Sequence, residues 1–254
     1  LPEAPDWAAR ALPPVATAIG LIVAWQAGVT LFGVPAYIAP APTAVIMQFV
    51  SQGRLILDSF LPTAAEAIAG FALGNTVAFA LAVLLVRNVT VERCVYPLVV
   101  FLHSIPILAI APILVLVLGT GYAPKIAISA LICFFPTLVN MVRGLKSAPR
   151  DMLELMRVLS ASEREILAKV LIPCSLPFLF AALKVTAPAS VIGAIVGEWI
   201  GSSYGLGAMI LEATYNFRAA LLYAAVFLCA GLAIAMFSVA ALVERRMTRW
   251  AGRS

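Results

Sequence analysis

The stretch RDMLELMRVLSASEREILAKVLIP, residues 150–173, decides the reading of this chain. Asp151, Glu154, Arg157, Glu163, Arg164, Glu165 and Lys169 are interleaved with Met152, Leu155, Val158, Leu159, Ile166, Leu167 and Val170. The apolar residues recur three and four apart, which is the pattern of an amphipathic helix. Ser160 and Ser162 interrupt it near the middle. Ser162 suits the N-cap of a second helix, and Glu165 three residues later completes a capping box. Pro173 is expected to stop that helix, and Pro177 to lie just inside the next apolar run. The stretch predicts a helix–turn–helix with one apolar stripe. Such a stripe needs cover, from the chain's own helices or from another protein.

Outward from this stretch the chain is apolar. Of its 254 residues, 63% are hydrophobic and 11% are charged, with a mean hydropathy of +1.05. A soluble domain carries roughly a quarter charged residues. So little charge cannot cover a globule in water, and lipid must solvate much of this surface. In a bilayer each backbone polar group is satisfied within its own segment, so apolar runs of about 20 residues read as helices. Spans are predicted at Leu12–Phe32, Leu61–Val86, Val95–Leu118, Ala123–Val142, Leu176–Ile200 and Ala219–Val243. The expected fold is an all-α integral membrane protein of six transmembrane helices. It is one domain over residues 1–254, with the helix–turn–helix between spans four and five.

The charges orient it. Arg10, Arg87, Arg93, Arg143, Lys146, Arg150, Arg157, Arg164, Lys169, Arg245, Arg246, Arg249 and Arg253 fall on one side, against Arg54, Lys125 and Arg218 on the other. By the positive-inside rule both termini are expected in the cytoplasm. The net charge of +5 is thus topological, and nucleic acid is not expected as a partner. The segment from Gly33 to Phe60 reads as an outer loop with a short interfacial helix over Thr43–Val50. Gly201 to Arg218 reads as a Gly-rich outer loop. The first apolar run is too long, and lacks a basic leader, for a cleavable signal.

Catalytic and metal chemistry find no purchase. Cys94, Cys133, Cys174 and Cys229 are far apart, and with a single histidine, His103, they assemble no zinc-type ligand set. Gly144-Leu145-Lys146-Ser147 has the end of a phosphate-binding loop without the required earlier glycine or strand. Gly70 and Gly74 form a GxxxG, suited to close packing within the chain or to dimerisation. Lys184 and Glu198 fall inside the fifth span, where charge is expensive and often functional. Lys184 is expected to snorkel or pair. Pro106, Pro112, Pro136 and Pro188 are expected to interrupt or kink spans three to five, freeing backbone groups where a path could be lined.

Glu154, Arg157, Ala161, Ser162, Lys169, Val170, Pro173 and Pro177 together resemble the cytoplasmic loop of permeases in binding-protein-dependent ABC importers. The likeness is to the subfamily for nitrate, sulfonate, taurine, bicarbonate and vitamin precursors. It extends over about Pro35 to Glu244, through Pro40-Ala41-Pro42-Thr43, Ile105-Pro106, Phe134-Phe135-Pro136, and Glu198 followed by Tyr204-Gly205-Leu206-Gly207. Met156 and Ser160 depart, standing where Ala and Gly are usual, and Glu66 stands where Arg is frequent.

The resemblance implies a permease subunit, a core over about 35–244 and a coupling loop over about 144–175. That loop would dock on a separate ATPase through Glu154, Arg157, Ser160, Ala161, Ser162 and Pro173. It further implies ATP used in the partner only, two ATPase copies, a second permease copy, and an extracytoplasmic substrate-binding protein. The location would be the bacterial inner membrane. Glu198, Pro106 and His103 are the candidate gate or path residues. No cofactor or metal is expected in this chain. A stand-alone carrier would call for charge rings or inverted repeats, and an intramembrane enzyme for a catalytic constellation. Neither is legible. The solute stays open among nitrate, sulfonates, taurine and vitamin precursors.

Overall fold

A computed structural model describes residues 6–248; Arg249 and Arg253, and the side chain of Arg10, lie outside the described residues. Within them the chain is all-helical. The order is α1 (Asp6–Leu31), α2 (Pro42–Ser51), α3 (Gly53–Arg87), α4 (Val89–Ser104), α5 (Ile107–Leu118), α6 (Tyr122–Lys146), α7 (Arg150–Val158) and α8 (Glu163–Ile166). A π-helical segment (Leu167–Leu171), α9 (Ile172–Trp199), α10 (Leu206–Tyr215) and α11 (Ala219–Met247) follow. Five stretches are long and apolar enough to cross a membrane, and α4 with α5 makes a sixth if the bent pair is one span.

Helices α3, α6 and α9 form the core. Gly74 of α3 lies so close to α6 that an added methyl would run into the Ala130 carbonyl, and Gly193 of α9 meets the Ser129 backbone in the same way. In lipid no hydrophobic force draws helices together, so small residues that permit backbone approach, and hydrogen bonds between helices, hold them. The Gly70–Gly74 pair therefore packs within the chain. At mid-height Asn75 Oδ1 accepts from Thr137 Oγ1 at 2.5 Å and from Thr186 Oγ1 at 3.2 Å, tying all three helices. Ser129 Oγ donates to the Ser190 carbonyl at 2.9 Å.

The same contacts give direction. Passing along α3 from Glu66 through Gly70 and Gly74 to Asn75, the neighbours on α6 advance from Lys125 through Ser129 and Ala130 to Thr137. The two helices run parallel, so the chain between them must cross the membrane once. Only α4 and α5 are there, and together they make that crossing. On α9 the order reverses: Gly197 faces Lys125, Gly193 faces Ser129, and Phe178 faces Gly144. Trp25 of α1 packs on Tyr223 and Phe227 of α11 at ring separations of 5.7 and 6.0 Å. Lys184 of α9 pairs with Glu244 of α11 at 2.7 Å, the pairing alternative for that lysine. Six crossings return both ends of the described chain to one side, the basic end, where Arg87, Lys146 and Arg245 gather.

The interruption expected at Pro106 is present: the third span is two helices bent by 97°, because Ile105 precedes a proline and both residues take extended backbone at ψ 126° and 127°. Three expectations need correction. Helix α3 begins at Gly53, eight residues before the predicted span, so the outer loop is shorter. The stretch from Gly201 to Arg218 holds α10, whose Leu206, Gly207, Met209 and Ala213 are buried. Pro173 does not stop the second helix. The π-helical turn just before it widens the backbone where a proline ring would meet the preceding carbonyl, and the helix continues from Glu163 to Trp199.

Candidate functional site

Three places gather the residues singled out in the sequence. The first is the basic-end loop. Helix α7 closes with Ser160 at φ 55°, its N–H donating to the Arg157 carbonyl at 2.9 Å while Ala161 N–H donates to the Met156 carbonyl at 2.9 Å. That is a Schellman closure with serine in the left-handed position that glycine usually fills. Ser162 then caps α8: Glu165 N–H donates to Ser162 Oγ at 3.3 Å, and Ser162 N–H donates to Glu165 Oε2 at 3.0 Å. The capping box holds as read.

No residue of α7 is buried. Val158 is 81% and Leu159 is 67% exposed, with Met152 and Leu155 exposed beside them. The stripe is therefore not covered by the chain's own core. Glu154 and Arg157 are exposed and have no side-chain partner among the described residues. Ser160 and Ser162 are exposed too, whereas Ala161 and Pro173 are half-buried. Leu153 and Met156 are half-buried, and Leu153 and Arg157 line a cleft of about 310 Å³ with Val86, Leu145, Ile166 and Leu171.

The second place is the elbow between α4 and α5. A cavity of about 470 Å³ opens there, with His103, Pro106, Ile110, Leu131, Ile132 and Phe135 among its lining. His103 stacks on Phe135 of α6 with ring centroids 3.8 Å apart and planes within 10°. His103 and Pro106, three residues apart in the chain, both line this cavity.

Glu198 is elsewhere. It is 1% exposed, at the end of the core away from the basic loop. Its Oε1 accepts from Thr63 Oγ1 at 2.5 Å and its Oε2 from Gly207 N–H at 2.5 Å. A carboxylate at a helix N-terminus satisfies donors that the helix itself leaves open, and here it pins α10 to α9 and α3. Gly205, at φ 102°, and Gly207 pack directly on this carboxylate, where a side chain would not fit. Beside it lie Glu66, 0% exposed, and Lys125, 1% exposed, with Nζ 3.6 Å from Glu66 Oε1. Lys125 also donates to Ser202 Oγ at 2.8 Å and stands 3.8 Å over the Tyr204 ring. At 3.6 Å the Glu66 contact is an ion pair without a hydrogen bond, and both Glu66 oxygens lack a hydrogen-bond partner.

Sequence reasoning missed this cluster. Lys125 was counted as an outer loop charge although it falls inside the predicted fourth span. A charge at such a position signals a buried partner. The partner itself, Glu66, was visible only as a departure from the expected arginine.

Residues 70–249 match the family described as binding-protein-dependent transport system inner membrane component. The chain belongs to that family. The permease is 33% identical to the formylaminopyrimidine transport permease protein ThiX of Halalkalibacterium halodurans, over 95% of this chain and 96% of that one. It is 35% identical to the riboflavin transport system permease protein RibX of Chloroflexus aurantiacus, over 96% and 91%. A more distant relative is the putative aliphatic sulfonates transport permease protein SsuC of Bacillus subtilis, at 27% over 91% and 84%. Its fold is similar to a chain of the inward-facing MetNI methionine ABC transporter, with a TM-score of 0.62 at 22% identity over 78% of this chain and 98% of that one. The permease is the membrane-spanning subunit of an ABC importer and not itself an ATPase; ATP is used by a separate ATPase subunit of the complex.

Proposed function

We propose that α7 and the turn at residues 159–162 form the element through which the permease is driven. Glu154, Arg157, Ser160, Ala161 and Ser162 dock on the ATPase, and Pro173 with the π-helical segment carries the motion into α9. The observation that supports this most is the uncovered apolar stripe of α7. A short rigid helix with an exposed apolar face and flanking charges is the form in which helices enter a groove on a partner. The permease acts as one domain, with its core over about 35–244 and the coupling segment over about 144–175. Two identical copies work with two ATPase subunits and an extracytoplasmic binding protein, around a two-fold axis. Both termini face the cytoplasm of a bacterial cell. The solute is a small molecule of the kinds its relatives' names carry: a formylaminopyrimidine, riboflavin or an aliphatic sulfonate. His103 and Pro106 line its path, and Glu198 holds the outer gate by fixing α10.

The test is Glu154→Lys. The residue is exposed, so the change should alter folding stability by no more than about 0.5 kcal/mol. At an interface it opposes like charges. Membrane abundance should be normal, while ATPase co-purification weakens and uptake is lost. Intact co-purification and uptake would move the coupling element elsewhere.

A further inference from the structure

We infer that the cavity at the elbow takes an uncharged, planar heteroaromatic solute onto the free face of His103, and that it selects against small anions such as sulfonates. The inference rests on the importer reading and narrows its solute class.

The cavity has the size of a small-molecule site, about 470 Å³ within the usual range of roughly 300–1,000 Å³. Its walls are the side chains of Ile107, Ile110, Leu131, Ile132 and Phe134 around the Ile105–Pro106 break. Among its described lining residues His103 alone is ionisable, and neither Lys nor Arg is present. An anion entering such a cavity sheds its hydration and meets no cation in return, which is strongly unfavourable. A flat neutral heterocycle loses little hydration from its faces and fits an apolar slot.

The His103–Phe135 stack supplies the flat surface. At 3.8 Å and 10° the two rings leave no space between them. A third ring therefore adds to the stack from outside. His103 is exposed, so one imidazole face is covered by Phe135 and the other is open. A lipid chain or a helix of a second copy would also fill an apolar cleft. Neither is held by stacking, which is what the test separates.

The test uses the permease purified with its ATPase in lipid nanodiscs, without a binding protein. Riboflavin is the fluorescent probe, 4-amino-2-methylpyrimidine the neutral competitor and methanesulfonate the anionic control. Riboflavin should bind saturably, be displaced by the pyrimidine and be unaffected by methanesulfonate. His103→Ala removes the ring the solute stacks on and should weaken binding about tenfold, and Phe135→Leu, which removes the ring that holds His103 flat, should weaken it as well. Phe135→Tyr keeps the ring and should bind like the wild type, which separates loss of stacking from loss of folding. Displacement by methanesulfonate, absence of saturable binding, or equal binding by Phe135→Leu and Phe135→Tyr would overturn the inference. Failure of the importer reading would show differently, as a permease that does not co-purify with an ATPase.

Discussion

Lys125 is the residue on which the end of the core away from the basic loop depends. Its ammonium is the cation within reach of Glu66, and it holds Ser202 and the Tyr204 ring as well. Replacing Lys125 with Met leaves two buried carboxylates facing each other, and removing one partner of a buried pair costs about 3–5 kcal/mol. Glu66→Gln also breaks the pair, but it leaves the ammonium on the Ser202 hydroxyl and the Tyr204 ring, so its cost should be smaller. The melting temperature of the detergent-purified complex should fall clearly for Lys125→Met and only slightly for Glu66→Gln. Equal shifts would mean that the lysine acts through its pairing with Glu66 alone and that Ser202 and the Tyr204 ring add little. The residue-scale lesson is one of distance along the chain. That charges inside spans are paired or functional is legible at Lys125, but Glu66 lies 59 positions away on another helix, and no pattern within either helix names it.

At the scale of elements the informative case is the end of α7. Serine at φ 55° carries a Cβ in the left-handed region, at a cost of about 1–2 kcal/mol relative to the right-handed backbone. Ser160→Gly should relieve much of that and stabilise the helix end by about 1 kcal/mol. Amide hydrogen exchange over residues 153–161 should slow, with uptake retained or improved. Faster exchange there would mean that the Ser160 hydroxyl contributes a contact outweighing the strain. The two helices of this loop and the capping box at Ser162 were legible, since both depend on residues within a few positions of each other. The length of the second helix was not. Pro173 is a stop signal locally, and only the π-helical turn before it, continuous with a helix buried in the core, lets the chain pass through. The elbow at Ile105–Pro106 was legible as an interruption. Its 97° bend was not, because local sequence frees a hinge without setting the angle at which α5 packs.

For the whole molecule, the parallel course of α3 and α6 points to six crossings, and the proposed orientation, with both termini in the cytoplasm, rests on the charge bias. A cysteine introduced at Arg54, on an otherwise Cys-free chain, should be labelled by an impermeant maleimide in spheroplasts. One at Arg246 should react only after permeabilisation. Labelling with the opposite sidedness would reverse the orientation, and labelling of both from outside would break the six-crossing count.

The sequence by itself determined that the chain lies in lipid, roughly where its helices run, that the amphipathic pair at residues 150–173 stands outside the apolar runs, and the family. These follow from composition, from periodicity, and from the order of short motifs, all of which are local or additive along the chain. Tertiary structure alone decided which small residues meet, at Gly74–Ala130 and Gly193–Ser129, and that α10 folds back beneath Glu198. It also decided that Glu66, Lys125 and Glu198 share one buried site and that His103 lies flat on Phe135. Apart from Gly207 and Glu198, those pairings join residues 32 or more positions apart. They are fixed by how whole helices rotate and slide until close backbone contacts and buried polar groups are satisfied together, a condition that no single segment of sequence contains.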